Sequence, residues 1–449
     1  MASAAEQLAS NMNFSAFSRA TELKKRIWFT LGALLVYRLG TYIPLPGINP
    51  AEWANSMKMH EGGLMGLANL FSGGAIDRMA VVALGITPYI TASIIIQLLT
   101  SVTPSLEALK KEGESGRKII NQYTRYATVG LAIVQAYGMA LLLEAGFGRD
   151  IQIVMNPGWF FRFSTIITML GGTMFLMWLG EQITSRGIGN GISLIIFAGI
   201  VAGLPGAIYS MLSEVSGGRQ SSMVLVIVFI LAVAVIAAIV FMERAQRRLL
   251  LQYPKRQMGN RMFQGDTSHL PLKLNTSGVI PPIFASSLLM LPATFSNFIK
   301  DAPLWLQSMT TALTPTHIPH MIVYAALMVF FCFFYTAIVF NPKDTADQLK
   351  KHGGFIPGIR PGERTADYID YVLTRITVIG AAYIVAVCLL PEVLTMSMGG
   401  FLGGLGGTSL LIVVTVTLDT VAQIQGHLVA HQYEGLIKKS KLRGGRRHR

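Results

Sequence analysis

Residues 62–104 read GGLMGLANLFSGGAIDRMAVVALGITPYITASIIIQLLTSVTP, and the way this run breaks decides the fold. An apolar piece from Gly63 to Phe71 is followed by Gly73-Gly74 and the pair Asp77-Arg78, and only then by a long apolar run from Met79. A hydrocarbon core is about 30 Å thick, so at about 1.5 Å per residue a crossing helix needs roughly 20 apolar residues. The first piece is too short to cross. Backbone of that kind survives at membrane depth only when it is buried in protein or lines a cavity. The run therefore predicts a re-entrant half-helix on the outer side, and with it a pore that needs filling.

The rest of the chain supplies the bundle around such a pore. Of its 449 residues 52% are hydrophobic and 13% charged, and the mean hydropathy is +0.50. A soluble chain carries about 25% charged residues, so lipid is the solvent for most of this one. Spans are expected near 27–43, 79–100, 121–144, 159–182, 190–212, 221–242, 275–298, 318–340, 372–394 and 408–430. No soluble domain of usual size fits between them. Cys332 and Cys388 sit inside apolar stretches and read as small core residues, without disulfide or metal-ligand spacing. The polar or amphipathic first 26 residues lack the short apolar core and small-residue site of a cleavable signal, so the first apolar segment should be retained.

Basic residues set the orientation. With a cytoplasmic N-terminus, the inside segments hold 28 Lys and Arg and the outside segments five, namely Lys58, Arg78, Arg149, Arg219 and Lys300. Both ends are therefore expected in the cytoplasm. The net charge of +14 follows from this asymmetry and need not signal nucleic-acid binding. The basic tail from Lys438 to Arg449 could touch lipid or ribosomal RNA, and reads as a disordered lipid-facing arm. Two long charged loops, 243–274 and 341–371, suggest a docking surface for a cytosolic partner rather than plain connectors.

Several runs resemble the SecY family of protein-export channels. They include Phe71-Ser72-Gly73-Gly74-Ala75, the stretch from Thr87 to Leu99, Lys110-Lys111-Glu112-Gly113-Glu114-Ser115-Gly116-Arg117 and Gln122-Tyr123-Thr124-Arg125-Tyr126. Further on come Arg186-Gly187-Ile188-Gly189-Asn190-Gly191-Ile192-Ser193, Phe340-Asn341-Pro342-Lys343, Gly358-Ile359-Arg360-Pro361-Gly362 and the stretch from Gly407 to Val413. The resemblance extends from the first span to the last. It implies an all-α protein of about ten transmembrane helices, in two pseudo-symmetric five-helix halves around an hourglass pore. These halves would be 27–212 and 213–430, flanked by a cytoplasmic segment 1–26 and a basic tail 431–449. It also implies passage of unfolded precursor polypeptides, partnership with SecE and SecG, drive from the SecA ATPase or a ribosome, contact with membrane lipids, and no cofactor or catalytic centre.

The resemblance further assigns residues. An aliphatic pore ring matches Ile86, Ile90, Ile192, Ile196, Ile283 and Ile412, and a ring of bulky apolar side chains can block ions by dewetting. The i,i+4 spacing puts Ile86 with Ile90, and Ile192 with Ile196, on one helix face each, and branching at Cβ stiffens them. The plug matches the half-helix 64–74, with Leu64, Met65, Leu67, Leu70, Phe71, Gly73 and Gly74. A lateral gate between the second and seventh spans matches Thr91, Gln97 and Asn275. Lys255, Arg256, Arg261 and Arg360 match docking positions for SecA or ribosome, although Asn260 stands where relatives often carry a second basic residue.

Asp419 lies mid-span, where an isolated charge costs ~2.5–3.5 kcal/mol. It is expected to face the interior or be protonated, as a functional group or in a structural contact with Gln423. His427 and His431 are spaced i,i+4 but lack a carboxylate motif, and read as interfacial rather than metal-binding. A secondary transporter would need midplane ionisable groups, for which Asp419 is the one obvious candidate. An intramembrane protease would need paired aspartates, a Ser with a His or a zinc motif, and none is assembled.

Overall fold

The computed structural model describes residues 21–58, 69, 72–145, 153–218, 221–253, 256–258, 261–263, 267–296, 303–314, 317–397 and 406–444. Backbone alone is described at 57–58, 256–258, 261–263, 293–296, 304, 306–307, 395, 397 and 431–444. The helices are α1 (Thr21–Gly40), α2 (Pro50–Lys58), α3 (Thr87–Val102), α4 (Pro104–Lys111), α5 (Glu114–Ala145), α6 (Trp159–Arg186), α7 (Gly191–Ser216) and α8 (Ser222–Arg244). After the strands β1 (Gln246–Gln252), β2 (Arg256–Met258), β3 (Arg261–Phe263) and β4 (Thr267–Lys273) come α9 (Ile280–Ser296), α10 (Leu304–Ala312), α11 (Ile318–Val339), α12 (Pro342–Lys351), α13 (Glu363–Ser397) and α14 (Gly407–Gly444).

Each of the ten expected spans holds one of these helices. Among the described residues, seven helices are long and apolar enough to cross a membrane by length and composition, or eight if the pair α3 and α4, bent by 97°, counts as one span. This is a multi-pass membrane protein. Helix α8 shows why such runs form: Ser221 accepts a hydrogen bond from the Met223 N–H at 3.3 Å, an uninterrupted apolar run follows, and Arg244 sits in the last turn. Only 17% of its most apolar window is buried within the chain, so its remaining surface has lipid or another subunit as solvent.

Three expectations need correction. The second span does not begin as a helix at Met79, because helical geometry starts at Thr87 with Pro88 in the first turn. Residues 73–86 fold instead as a series of turns with positive φ at Gly73, Gly74, Met79 and Gly85. Hydropathy reports the solvent a segment prefers and is blind to such dihedrals. Gly73 and Gly74, expected as the end of the half-helix 64–74, lie instead in this turn region. The tail read as a disordered arm continues α14 as far as Gly444. Lys, Leu, Gln and Glu there are good helix formers, and the pair Gly444-Gly445 marks the stop.

The loops 243–274 and 341–371 are joined to each other. Strands β1 and β4 pair antiparallel from Gln246↔Lys273 to Gln252↔Thr267, and β2 and β3 continue toward the tip through Arg256↔Phe263. Alternation turns Leu249, Leu251 and Leu272 to one face, where they pack with Leu349 of α12 and with Ile356, Ile369, Val372 and Ile376. Gln252 and Phe355 exchange backbone hydrogen bonds at 2.9 and 3.0 Å, which stitches the second loop to the first. On the neighbouring helices, the Lys110 Nζ donates to the Ile338 carbonyl at the end of α11 at 3.3 Å.

Candidate pore constriction and lateral seam

The largest apolar cluster draws on α1, α3, α6, α7, α8, α9, α11, α13 and α14, and all six candidate ring isoleucines belong to it. Ile86, Ile90, Ile196, Ile283 and Ile412 are buried, and Ile192 is half-buried against the same cluster. None of the six is fully exposed, as a residue selected by chance from a lipid-facing stripe would be.

Their placement follows from how four helices begin. Ile86 caps α3 at φ −95° and ψ 0°, and its carbonyl accepts from the Ile90 N–H at 3.0 Å, which starts the first turn. In α7 the Asn190 side chain accepts from the Ile192 N–H at 3.1 Å, so Ile192 and Ile196 occupy the first two turns. Gly191 lets this start press onto α6, because a Cβ there would stand 1.9 Å from the Gly180 carbonyl oxygen. Ile283 lies at the start of α9, and Ile412 in the second turn of α14. These four helix starts bring the six isoleucines into the same apolar cluster.

The expected plug falls mainly outside the described residues. That holds for Leu64, Met65, Leu67, Leu70 and Phe71, whereas Gly73 and Gly74 are described.

Among the described residues, the hydrogen bonds of the three expected gate residues do not join them to one another. Helix α9 packs against α3, yet the buried Thr91 donates its hydroxyl back to the Thr87 carbonyl at 3.1 Å. Gln97 donates from Nε2 to the Ser93 hydroxyl at 3.2 Å on the same helix, while its Oε1 is buried with no hydrogen-bond partner. Asn275 precedes α9 and folds the turn into it: its Oδ1 accepts from the Ser277 hydroxyl and the Gly278 N–H, both at 3.0 Å. Its Nδ2 donates to Glu243 at the end of α8 at 2.5 Å. Glu243 was not singled out in the sequence, although a carboxylate closing an apolar run of 20 or so residues is a signal that could have found it.

Asp419 was expected to face the interior or be protonated, as a functional group or in a contact with Gln423. It is exposed on α14 rather than packed inside, and it lies within electrostatic reach of Glu243. Gln423 is engaged elsewhere, accepting from the Gly189 N–H at 2.8 Å. Positions 419, 423 and 427 are spaced i,i+4 and so place three polar residues on one face of this span. Both cysteines are buried, as expected.

Of the candidate docking residues, Lys255 lies outside the described residues, and Arg256 and Arg261 sit on β2 and β3 at the far end of the hairpin. Arg360 is exposed, and its carbonyl is held by the Thr365 hydroxyl at 2.8 Å between two turns at Gly358 and Gly362. Hairpin and Arg360 loop thus belong to one joined platform.

Comparison with known proteins places this geometry. A family model described as SecY matches residues 80–421. A curated relative from Pseudomonas aeruginosa, the protein translocase subunit SecY, is 53% identical over 426 residues, which are 94% of this chain and 95% of the relative. Among solved structures, one concerns the plug domain of SecY, described as stabilising the closed state of the translocation channel and maintaining a membrane seal. It covers 91% of this chain and 93% of its own with TM-score 0.64 at 20% identity. Another is Sec61 in the canine ribosome–channel complex of the endoplasmic reticulum, with TM-score 0.60 at 19% identity and coverage of 91% and 93%. At such identities the structural likeness speaks for the fold alone.

Proposed function

The chain belongs to the SecY family, and from that premise we propose that the isoleucine cluster is the constriction of a protein-conducting channel, through which unfolded precursor polypeptides cross the membrane. The observation that carries this reading is the gathering of six branched side chains from four helix starts into one buried cluster. Such a ring yields around a threaded chain and closes dry behind it. The segment 64–74 is the plug beside it. The seam between α3 and α9 is the lateral exit by which signal sequences and transmembrane segments pass into lipid.

The two halves, 27–212 and 213–430, would move apart at that seam. The membrane is the bacterial cytoplasmic membrane, and both termini are cytoplasmic, in keeping with 28 basic residues against five. The platform of the two loops then faces the cytoplasm, where Lys255, Arg256, Arg261 and Arg360 dock SecA or a ribosome. SecE and SecG complete the complex against lipid-facing surfaces. Conduction of a polypeptide asks for no catalytic centre in this subunit.

Reconstitution into liposomes with SecE and SecG, followed by SecA, ATP and a signal-bearing precursor, tests the reading. Precursor protected from external protease supports it, and precursor that stays fully digestible under conditions where a relative's complex is active refutes it. The docking part has its own test: Arg360→Glu should reduce ATP-driven export severalfold while leaving complex assembly intact, and export at the unsubstituted rate would remove Arg360 from the role.

A further inference from the structure

The turn region that delivers Ile86 to the constriction is clamped from two sides by residues that no role above uses. Tyr37, almost wholly buried in the last turns of α1, donates its hydroxyl to the Ser72 carbonyl at 3.1 Å. The neighbouring Arg38 donates from Nη1 to the Gly73 carbonyl at 2.8 Å. From the other side comes α7. A Cβ on Gly73 would stand 2.8 Å from the Gly199 Cα and 2.7 Å from the Tyr37 hydroxyl. A Cβ on Gly199 would in turn stand 3.1 Å from that hydroxyl and 3.2 Å from the Gly73 nitrogen. Gly73 has φ +68°, so its lack of a side chain answers both to its dihedral and to the approach of α7.

The clamp leads directly to the ring. Ser72 lies against Gly85, whose added Cβ would stand 3.6 Å from the Ser72 Cα. Gly85, at φ +57°, is the residue before Ile86. Turn carbonyls at membrane depth need donors, since an unpaired one is costly. A guanidinium is a stronger donor than a neutral group and remains charged. Arg38 and Tyr37 therefore meet carbonyls that no helix ladder serves.

We propose that Tyr37, Arg38 and Gly199 are positioning residues of the seal. By fixing Ser72 and Gly73 between α1 and α7, they hold Gly85, and through it Ile86 and Ile90, at the constriction. The inference rests on the reading of the isoleucines as the seal. In the lone sequence Gly199 is half of a small-residue spacing with Gly203, which marks helix packing at best, and Arg38 is one of four basic residues within the expected spans. Structure gives both a target.

The test is resting ion conductance of the reconstituted complex in planar bilayers, with precursor export measured in parallel. Arg38→Ala and Gly199→Ala should each raise resting conductance severalfold while export continues, a pairing that general misfolding would not produce. Arg38→Lys, which still presents a cationic donor, should bring conductance back toward the unsubstituted level. Gly203→Ala is the control, because nothing stands within 4 Å of its added methyl. If either clamp variant fails to assemble, Tyr37→Phe, lacking one hydroxyl, carries the same measurement. Paired Ile86→Ser and Ile90→Ser separates the two ideas. A leak there with tight clamp variants overturns the clamp and leaves the seal standing. No leak in either set overturns both, and equal leak in Arg38→Lys and Arg38→Ala overturns the carbonyl-holding role of Arg38.

Discussion

Ile90 and Thr91 are consecutive residues of α3, and they are held in opposite ways. Ile90 is packed into a cluster to which α1, α6, α7, α8, α9, α11, α13 and α14 also contribute. Thr91, equally buried, turns its hydroxyl to a carbonyl of its own helix, and Gln97 likewise donates to its own helix. The proposed constriction is thus built from contacts between helices, whereas the Thr91 and Gln97 donors of the proposed seam are held within one. A seal formed by many elements resists local disturbance. A seam whose Thr91 and Gln97 donors are satisfied within α3 can part without stranding those donors, which would otherwise cost ~1–3 kcal/mol each.

The largest expected effect comes from removing the apolar character of the ring. Replacing Ile86, Ile90, Ile196 and Ile412 together by serine would put hydroxyls where the proposed ring is to exclude ions by dewetting, and forfeits about 1.5–3 kcal/mol of apolar burial at each position. Resting conductance in planar bilayers should rise by the greatest margin of any variant considered. Conductance equal to that of the unsubstituted complex would remove these residues from the seal and erase the contrast with Thr91.

Next is a volume change that keeps the ring apolar. Ile412 is fully buried on α14, so Ile412→Ala should lower stability by about 2–5 kcal/mol, read as a drop in thermal denaturation midpoint of the detergent-solubilised complex. A loss well under ~1 kcal/mol would show a loosely packed site, one that collapses around the cavity. On the seam side, Asn275→Leu deletes the donor to Glu243 and the acceptor of the turn into α9. A carboxylate left without its partner costs ~1–3 kcal/mol, and the start of α9 should shift. Export of precursors with weakly hydrophobic signal sequences should change accordingly, and an unaltered dependence on signal hydrophobicity would make Asn275 a turn former only.

The contrast also explains what could be read in advance. Helix α8 was legible almost to the residue, because a serine cap, an apolar run and a closing arginine all agree there. The stretch from Met79 to Ile86 was not, since its apolar residues look helical while Gly85 at φ +57° and Pro88 in the first turn of α3 set the helix start at Thr87. The surroundings of Asp419 were not legible either, because a count of charges within a span ignores which face they share, and Asp419, Gln423 and His427 share one. The six isoleucines came from family resemblance, because nothing in periodicity separates a ring residue from a packed one. Their common burial is a property of helix ends meeting in space, and no single helix carries it. Tyr37 and Arg38 were illegible for the same reason, as their partners are backbone carbonyls 35 residues away.

The smallest effect is the most exacting for the comparison. Thr91→Val keeps the branched shape and removes one hydroxyl, whose sole observed partner is the Thr87 carbonyl one turn back. Side-chain hydrogen bonds between membrane helices average ~0.6 kcal/mol, and a back-bond within one helix, to a carbonyl that the helix ladder also uses, should be worth no more. Stability should therefore move by less than ~0.6 kcal/mol. Signal-sequence selectivity should also stay close to that of the unsubstituted channel, unlike that of Asn275→Leu. A large shift in selectivity from this one hydroxyl would mean that Thr91 bonds across the seam in the working channel, and that seam and seal are held by the same kind of contact after all.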